Sequence, residues 1–157
     1  MSWKVFEEDS PELAALACEK LNRKIAYLAT LRKDGSPRLH PVTPFIGNGM
    51  MFIFTESSSP KIRDLCRDGR YALHCAVGGE GPLIEVMVLG EAVAISDTHV
   101  RREQAERIAA SPVVTDKYVL FGLQVKRVMV VEYDEEKKPV VRRWRIGEAG
   151  ILRNARH

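Results

Sequence analysis

The sequence has few cysteines and no long apolar run. Its three cysteines form no close pair, which favours reduced thiols in a cytoplasmic protein over a disulfide framework. No stretch approaches the roughly 18 consecutive apolar residues of a membrane-spanning helix. The residues before Ser10 include three acids and lack the apolar segment of a secretory leader. We therefore expect a cytoplasmic protein that binds no membrane.

Motifs for metal, dinucleotide and nucleic-acid binding are also missing. The four histidines form no His-x-x-x-His pair, and the cysteines form no Cys-x-x-Cys pair, so we expect no metal site. No Gly-x-Gly-x-x-Gly follows a predicted strand, which argues against a dinucleotide-binding turn. A net charge of +3 is too small to predict nucleic-acid binding, although it suits a small anionic ligand.

Strands separated by tight turns make up most of the sequence. Asp34-Gly35 and Gly47-Asn48-Gly49 are typical of β-hairpins, and Gly90 inside a long apolar run predicts a bulge. This order predicts a mainly β (α+β) fold, an antiparallel barrel with peripheral helices, in one domain over 1–157 with peripheral tails at 1–9 and 153–157. Strands are expected at 25–31, 38–45, 50–55, 71–77, 84–95, 119–133 and 140–146, and helices at about 11–22, 60–66 and 99–110.

The segment 54–61 is the most informative for function. Ser59 is a predicted N-cap and Pro60 a first helical residue, so free backbone N–H groups at the helix start should favour an anion. The hydroxyl of Ser58 adds a donor and Lys61 adds a positive charge. The segment is therefore a candidate phosphate cradle. The alternative is a polar loop with an ordinary Ser-Pro helix start.

A second candidate lies on the strand that begins at Arg38. Alternation places Arg38, His40 and Val42 on one face, where donors beside an apolar surface could receive a planar ring with polar edges. The alternative is a solvated strand face. The same alternation sends His74 and Cys75 to opposite faces, and Cys75 is expected to be a core thiol rather than a nucleophile.

A basic cluster stands late in the sequence, around Trp144. The simplest interpretation of this cluster is a solvated strand face. The functional interpretation is a second anion subsite or an interface. Trp and Arg are both enriched at interfaces, which favours an interface or a ligand edge. The cluster consists of Lys126, Arg127, Arg142, Arg143 and Arg145.

Taken together, these stretches resemble the pyridoxamine 5′-phosphate oxidase-like, FMN-binding split-barrel family. The resemblance covers roughly residues 10–133 and rests on the order and spacing of several stretches rather than on one motif. Those stretches are 25–30, 34–42, 51–55, Ser59-Pro60-Lys61 and 85–92.

The resemblance implies a split β-barrel that forms a homodimer with two cofactor sites at the subunit interface. It implies that Thr55, Ser59 and Lys61 lie on the phosphate side, and that Glu85 reaches the ring, commonly from the second subunit. The residues implied to lie along the isoalloxazine ring and phosphoribityl chain are Arg38, Leu39, His40, Pro41, Val42 and Thr43.

Two departures from the family pattern bear on the substrate. Pro60 stands where the oxidases proper have an arginine and Thr43 where they have a lysine, and their C-terminal arginine–histidine signature is not visible. The leading hypothesis is therefore an FMN-dependent oxidoreductase that acts on an unknown small organic substrate other than pyridoxamine 5′-phosphate. The alternatives are an F420-dependent reductase on the same fold and a non-catalytic protein that binds flavin or haem.

Overall fold

The computed structural model describes residues 2–78, 82–97, 99, 103, 117–148 and 152–154. Its helices are α1 (Ser2–Asp9), α2 (Pro11–Leu21) and α3 (Pro60–Arg67). Its strands are β1 (Ala26–Leu31), β2 (Pro37–Val42), β3 (Phe45–Gly47), β4 (Met50–Glu56), β5 (Arg70–Cys75), β6 (Ile84–Ile95), β7 (Tyr118–Tyr133), β8 (Pro139–Arg145) and β9 (Leu152–Asn154). The helix predicted at 99–110 lies outside the described residues except for His99 and Glu103.

The strands form one curled antiparallel sheet, which confirms the predicted mainly β fold. Its order is β2-β1-β5-β6-β7-β4-β3, and β8 and β9 continue from β7. β7 pairs with β6 along most of its length, with β4 near its beginning and with β8 near its end. Because side chains alternate along each strand, the sheet has an inner face on the core and an outer face opposite. Leu28, Leu73 and Val88 mark the inner face, and all three are fully buried.

A proline ends the second predicted strand early. The strand predicted over 38–45 is in fact two short strands, β2 and β3, with Thr43 and Pro44 between them. Pro44 has no N–H to give to a sheet ladder, and around it the chain passes from one edge of the sheet to the other. Asn48 and Gly49 then take left-handed conformations, with φ of 53° and 69°, and close the predicted β3–β4 hairpin.

The bulge predicted at Gly90 is present in β6. The β6–β7 register shifts between Leu89 and Gly90. A Cβ atom at Gly90 would lie 1.7 Å from the carbonyl oxygen of Gln124, so only glycine fits there. The Tyr71 hydroxyl donates to the same carbonyl at 3.1 Å, which ties β5 to the bent part of the sheet.

The N-terminal helix belongs to the core, which corrects the prediction that residues 1–9 form a peripheral tail. Trp3 and Phe6 are buried, and Phe6 packs on Trp144 with ring centroids 4.8 Å apart. Trp144 is only 2% exposed and donates its indole N–H to Asp9 at 3.1 Å. Trp144 itself is therefore a core residue covered by α1, whereas an interface or ligand edge at the basic cluster around it stays a prediction.

The second helix begins and ends where the sequence predicts. Pro11 stands at its first position and Asn22 is its C-cap. The side-chain oxygen of Asn22 accepts a hydrogen bond from the backbone N–H of Ile46 at 2.9 Å, so the end of α2 fixes the position of β3. Leu13 and Ala17 are fully buried, and this helix too contributes to the core.

The described end of the chain also pairs with the sheet. Arg153 and Asn154, expected to be part of a peripheral tail, belong to β9 and pair with β8. Residues 155–157 lie outside the described residues. Among the helices that the structure describes, none is both long and apolar enough to cross a membrane.

Candidate functional site

The loop after β4 brings a hydroxyl and an ammonium group together at the start of α3. Ser59 is the N-cap and makes no side-chain capping hydrogen bond; its hydroxyl instead accepts one from Lys61 Nζ at 3.1 Å. Ser58 is exposed beside it. Burial lowers the pKa of Lys61, and the charge of Glu56 opposes that shift. An anion here would form charge-assisted hydrogen bonds with the ammonium group.

Asp64 of α3 holds Arg38 of β2. Arg38 Nε donates to Asp64 Oδ2 at 2.7 Å, and Thr30 Oγ1 donates to the same oxygen at 3.0 Å. Arg67 donates to the other oxygen at 3.2 Å. Burial raises the pKa of Asp64, but the hydrogen bonds from Arg38, Thr30 and Arg67 outweigh it and hold the pKa below its ordinary value. The charged carboxylate therefore fixes Arg38 through Nε and leaves its Nη groups for another acceptor.

His40 is the next inward-facing residue of β2. It pairs with the buried Leu28 of β1, and its Nε2 atom is buried without a hydrogen-bond partner among the described residues. Burial lowers the pKa of His40, and the charges of Lys61 and Arg38 lower it further. His40 is thus a neutral imidazole near two cations at pH 7. The inward side of β2 carries Arg38, His40 and Val42, as alternation predicts.

Thr55 is the last buried residue of β4. It is 1% exposed, and its Oγ1 atom has no partner within the described part of the chain. A buried hydroxyl without a hydrogen bond costs about 1–3 kcal/mol. Thr55 stands just before the loop that leads to Ser59. Its unpaired hydroxyl, like the unpaired Nε2 of His40, fits a ligand with polar atoms better than a closed apolar core.

The other predicted residues around β2 are divided between the two faces. Leu39 and Pro41 point to the outer face, where Leu39 is 66% exposed. Val42 lies in the core and Thr43 is exposed after the strand ends. β2 is an edge strand among the strands that the structure describes, so one side of its backbone has no partner among them. These residues can therefore meet a ligand through their backbone groups.

Glu85 is not brought to the start of α3 within one chain. It lies on the outer face of β6, opposite Val131, whereas His40 faces inward. Its carboxylate accepts a hydrogen bond from the Tyr133 hydroxyl at 2.7 Å and lies 3.8 Å from His74 Nε2. A contribution of Glu85 from a second subunit stays a prediction.

A basic cleft of about 680 Å³ adjoins Arg38, and the sequence did not reveal it. Asp64 is engaged by two arginines, and Asp34 is engaged by Ser36 within its own turn. The cleft therefore keeps a net positive charge. The sequence shows that Arg63 and Arg67 are one helical turn apart. Their position beside the β1–β2 turn depends on the tertiary structure. The cleft is lined by Arg32, Lys33, Asp34, Arg38, Arg63, Asp64 and Arg67.

Cys75 is a core thiol, as predicted. It is 1% exposed, and burial raises its pKa. Its sulfur accepts a hydrogen bond from the Val86 backbone N–H at 3.1 Å, while His74 points to the outer face. Among the described residues, no group of three histidine, cysteine or acidic side chains could hold a metal ion.

Comparison with solved structures supports the split-barrel architecture. PhzG from Burkholderia lata 383, in complex with tetrahydrophenazine-1-carboxylic acid, is similar with a TM-score of 0.65 at 16% identity over 98% of this chain and 94% of that one. A NimC/NimA family protein from Clostridium acetobutylicum has a TM-score of 0.64 at 12% identity, over 90% and 96%. A heme binding protein from Mycobacterium smegmatis has a TM-score of 0.61 at 18% identity, over 87% of this chain and 56% of that one. At these identities the likeness establishes the fold alone.

Comparison of sequences identifies the family. No curated protein matches the sequence. The family model described as pyridoxamine 5′-phosphate oxidase matches residues 13–135, which is more than half of the chain. The matched segment includes β2, the loop after β4 and α3, the elements that carry Arg38, His40 and Lys61. This chain belongs to the pyridoxamine 5′-phosphate oxidase family.

Proposed function

We propose that the chain binds FMN with its phosphate group at the start of α3. The observation that carries this proposal is a set of polar groups without partners around a helix start. His40 Nε2 and Thr55 Oγ1 are buried and unpaired among the described residues, and Lys61 pairs only with the Ser59 hydroxyl within that part of the chain. A phosphate at a helix N-terminus would supply acceptors for the cation, the hydroxyl and the backbone N–H groups.

Each residue of the cradle has a separate role. Arg38 provides the N–H donors of a planar guanidinium group, which Asp64 orients, and Lys61 provides a positively charged ammonium group. Ser59 offers a hydroxyl beside Lys61. His40, held neutral by burial and by the neighbouring cations, provides a hydrogen bond without adding charge. The backbone edge of β2, which has no strand partner within the described residues, would border the remainder of the cofactor.

We propose that the protein is an FMN-dependent oxidoreductase acting on a small organic substrate. When bound, FMN supplies hydride transfer; the residues of this chain bind it, orient it and exclude water. Pyridoxamine 5′-phosphate is not the proposed substrate. Pro60 and Thr43 stand where the oxidases proper carry cations, and their C-terminal arginine–histidine signature is not visible.

The absorbance spectrum of the purified protein tests cofactor binding. We expect an oxidised flavin spectrum, or uptake of about one FMN per chain after reconstitution. A haem spectrum, or no uptake of FMN at micromolar concentration, would overturn the proposal. Anaerobic reduction of the bound flavin, followed by reoxidation with electron-poor organic acceptors, then separates an oxidoreductase from a protein that only binds or stores the cofactor.

The basic cleft favours a second candidate, an F420-dependent reductase. F420 carries a longer acidic tail than FMN, and the cleft beside Arg38 has the charge to hold such a tail. The test is titration with both cofactors at two salt concentrations. Tight, strongly salt-dependent F420 binding with negligible FMN binding would favour this candidate, because a polyanionic tail is more sensitive to screening.

We also propose that the protein is a homodimer. The outer face of the β1–β2 hairpin carries apolar side chains that the chain itself leaves uncovered: Leu39 is 66% exposed and Tyr27 is 43% exposed. Tyr27 pairs with Pro41 and Ala29 with Leu39, so these side chains form one patch. A twofold contact between such patches is the commonest way to cover them, and it agrees with cofactor sites shared between subunits.

A further inference from the structure

We propose that the basic cleft between the β1–β2 hairpin and α3 binds a diphosphate group, either free or as part of a nucleotide. The cleft has a volume of about 680 Å³ and includes Arg38. Among the described residues, Ser59 and Lys61 of the phosphate cradle do not line it. The cleft is therefore a second anion site beside the cradle, and the proposal does not depend on FMN binding.

The fold brings the cations of the cleft together from two elements. Arg38 of β2 is the register partner of Thr30, and Arg32 follows the end of β1 on the same hairpin. On the other side, Arg63 and Arg67 are four residues apart on α3, which places them about 6 Å apart along the helix axis. Guanidinium groups therefore line the cleft both from the hairpin and from the helix.

Backbone carbonyl groups hold two of these arginines in place. Arg32 Nη1 donates to the carbonyl oxygen of Pro37 at 2.6 Å, and Arg67 donates to the carbonyl oxygen of Leu31. A carbonyl group is neutral, so these hydrogen bonds orient each guanidinium without cancelling its charge. Arginine has five N–H donors, and each side chain keeps donors for a ligand. Because the side chains are already ordered, less conformational entropy is lost on binding.

The positive charge of the cleft exceeds the negative charge of the chain around it. Five basic and two acidic side chains line it among the described residues. Asp64 is already paired with two arginines, and Asp34 accepts hydrogen bonds within its own turn. The side chains of Arg63 and Lys33 have no ion-pair or hydrogen-bond partner within the described part of the chain. A multiply charged anion therefore complements this site.

The lining of the cleft selects a phosphate rather than an organic body. Within the described residues it contains no apolar side chain, so a ring or an alkyl chain would find no surface to contact. Its donors come from two sides, and a phosphate group presents three acceptor oxygens in different directions. A carboxylate instead accepts from a guanidinium in one plane. Two linked phosphate groups can reach the hairpin and the helix together.

Calorimetric titration of the full-length protein with inorganic diphosphate tests this site. We expect one diphosphate to bind per chain, and inorganic phosphate and the tricarboxylate citrate to bind roughly tenfold more weakly. Arg63→Gln should weaken diphosphate about tenfold, the usual effect of losing a charge-assisted hydrogen bond, and adding Lys33→Gln should weaken it further. Both side chains are exposed, so the variants should fold. Arg70→Gln is the control: it removes an exposed arginine on β5, outside the cleft, and should leave the affinity unchanged.

ADP distinguishes the two sources of the diphosphate group. Equal affinity for ADP and inorganic diphosphate would assign the site to the free anion, whereas clearly tighter ADP would assign it to a nucleotide. Full diphosphate affinity in the double variant, or citrate that binds as tightly as diphosphate, would overturn the proposal. Full competition between diphosphate and FMN would place the anion in the phosphate cradle and overturn it too. If FMN does not bind at all, the cofactor proposal fails alone, because this titration needs no flavin.

Discussion

Arg38 and Asp64 form an ion pair that joins the edge strand β2 to helix α3, with Arg38 Nε 2.7 Å from Asp64 Oδ2. The Asp64 side chain is 4% exposed and that of Arg38 is 24% exposed. Thr30 donates to the same carboxylate oxygen, so β1 also contributes to the contact. Because α3 begins at the proposed phosphate cradle, this pair determines where Arg38 stands relative to Lys61.

Replacing Asp64 by Asn should destabilise the protein and weaken FMN. Removal of one partner of a buried ion pair costs about 3–5 kcal/mol, and we expect about 2–3 kcal/mol here because Arg38 keeps some contact with water. Urea denaturation measures the free energy of unfolding. Thr30→Val removes one donor but keeps the ion pair, so it should cost less. FMN affinity should fall more than riboflavin affinity in Asp64→Asn; equal losses would mean that Asp64 does not position Arg38 for the phosphate.

Replacing Lys61 by Ala should weaken FMN more than riboflavin, which lacks the phosphate. A charge-assisted hydrogen bond contributes about 1.5–3 kcal/mol, or roughly 10- to 100-fold in the dissociation constant. Fluorescence quenching of each flavin measures both constants. Lys138→Ala, at an exposed position in the β7–β8 turn, is the control and should change neither. An equal loss for both flavins would show that Lys61 does not contact the phosphate.

The stability of the protein without cofactor should fall as the pH falls below about 6.5. Burial and nearby cations place the pKa of His40 below its ordinary value of 6.5. Between the lowered pKa of His40 in the folded chain and the ordinary pKa in the unfolded chain, the unfolded chain binds a proton that the folded chain does not. Acid therefore favours unfolding. Asp64, whose pKa is also lowered from an ordinary value of 3.8, loses its contribution only at lower pH. Urea denaturation at pH 7.5 and 5.5 measures how much the free energy of unfolding falls between the two pH values. We expect this fall to be smaller for His40→Gln than for the natural sequence, and an equal fall would contradict the prediction.

A charge on the outer face of β2 should separate the proposed dimer. Leu39→Asp places a carboxylate in the exposed patch beside Tyr27, and burial of an unpaired charge in an interface is unfavourable. Sedimentation should then show a monomer. Val140→Asp is the matched control, because Val140 is exposed on the other face of the sheet, and it should stay dimeric. A natural sequence that is monomeric at micromolar concentration with FMN bound would refute the dimer itself.

Phe6→Ala should destabilise the protein strongly, although the residue lies close to the N-terminus. Phe6 is fully buried and packs on Trp144, and truncation of a buried phenylalanine costs about 3–5 kcal/mol. The midpoint of urea denaturation measures the loss. Val5→Ala, on the same helix but only partly buried against the core, should cost less. A small effect of Phe6→Ala would mean that α1 is a detachable tail after all.

Local chemistry in the sequence determined the turns, the helix starts and the faces of the strands. Asn48-Gly49 closes a hairpin because both residues tolerate positive φ, and Pro11 and Pro60 begin helices because a first helical residue needs no N–H. Gly90 marks a bulge because a glycine inside a long apolar run weakens a regular strand at that point. Alternation alone placed Arg38 and His40 on one face of β2.

Tertiary structure decided which of these residues meet. Asp64 lies 26 residues from Arg38, and nothing in the local pattern of either indicates the pairing. The core position of Trp3 and Phe6 also escaped prediction, because α1 is short and its few apolar residues acquire a partner only when β8 brings Trp144 to them. The basic cleft depends on the approach of α3 to the β1–β2 turn. Contacts of this kind depend on how the curled sheet brings distant segments together, whereas turns and caps depend on a few adjacent residues.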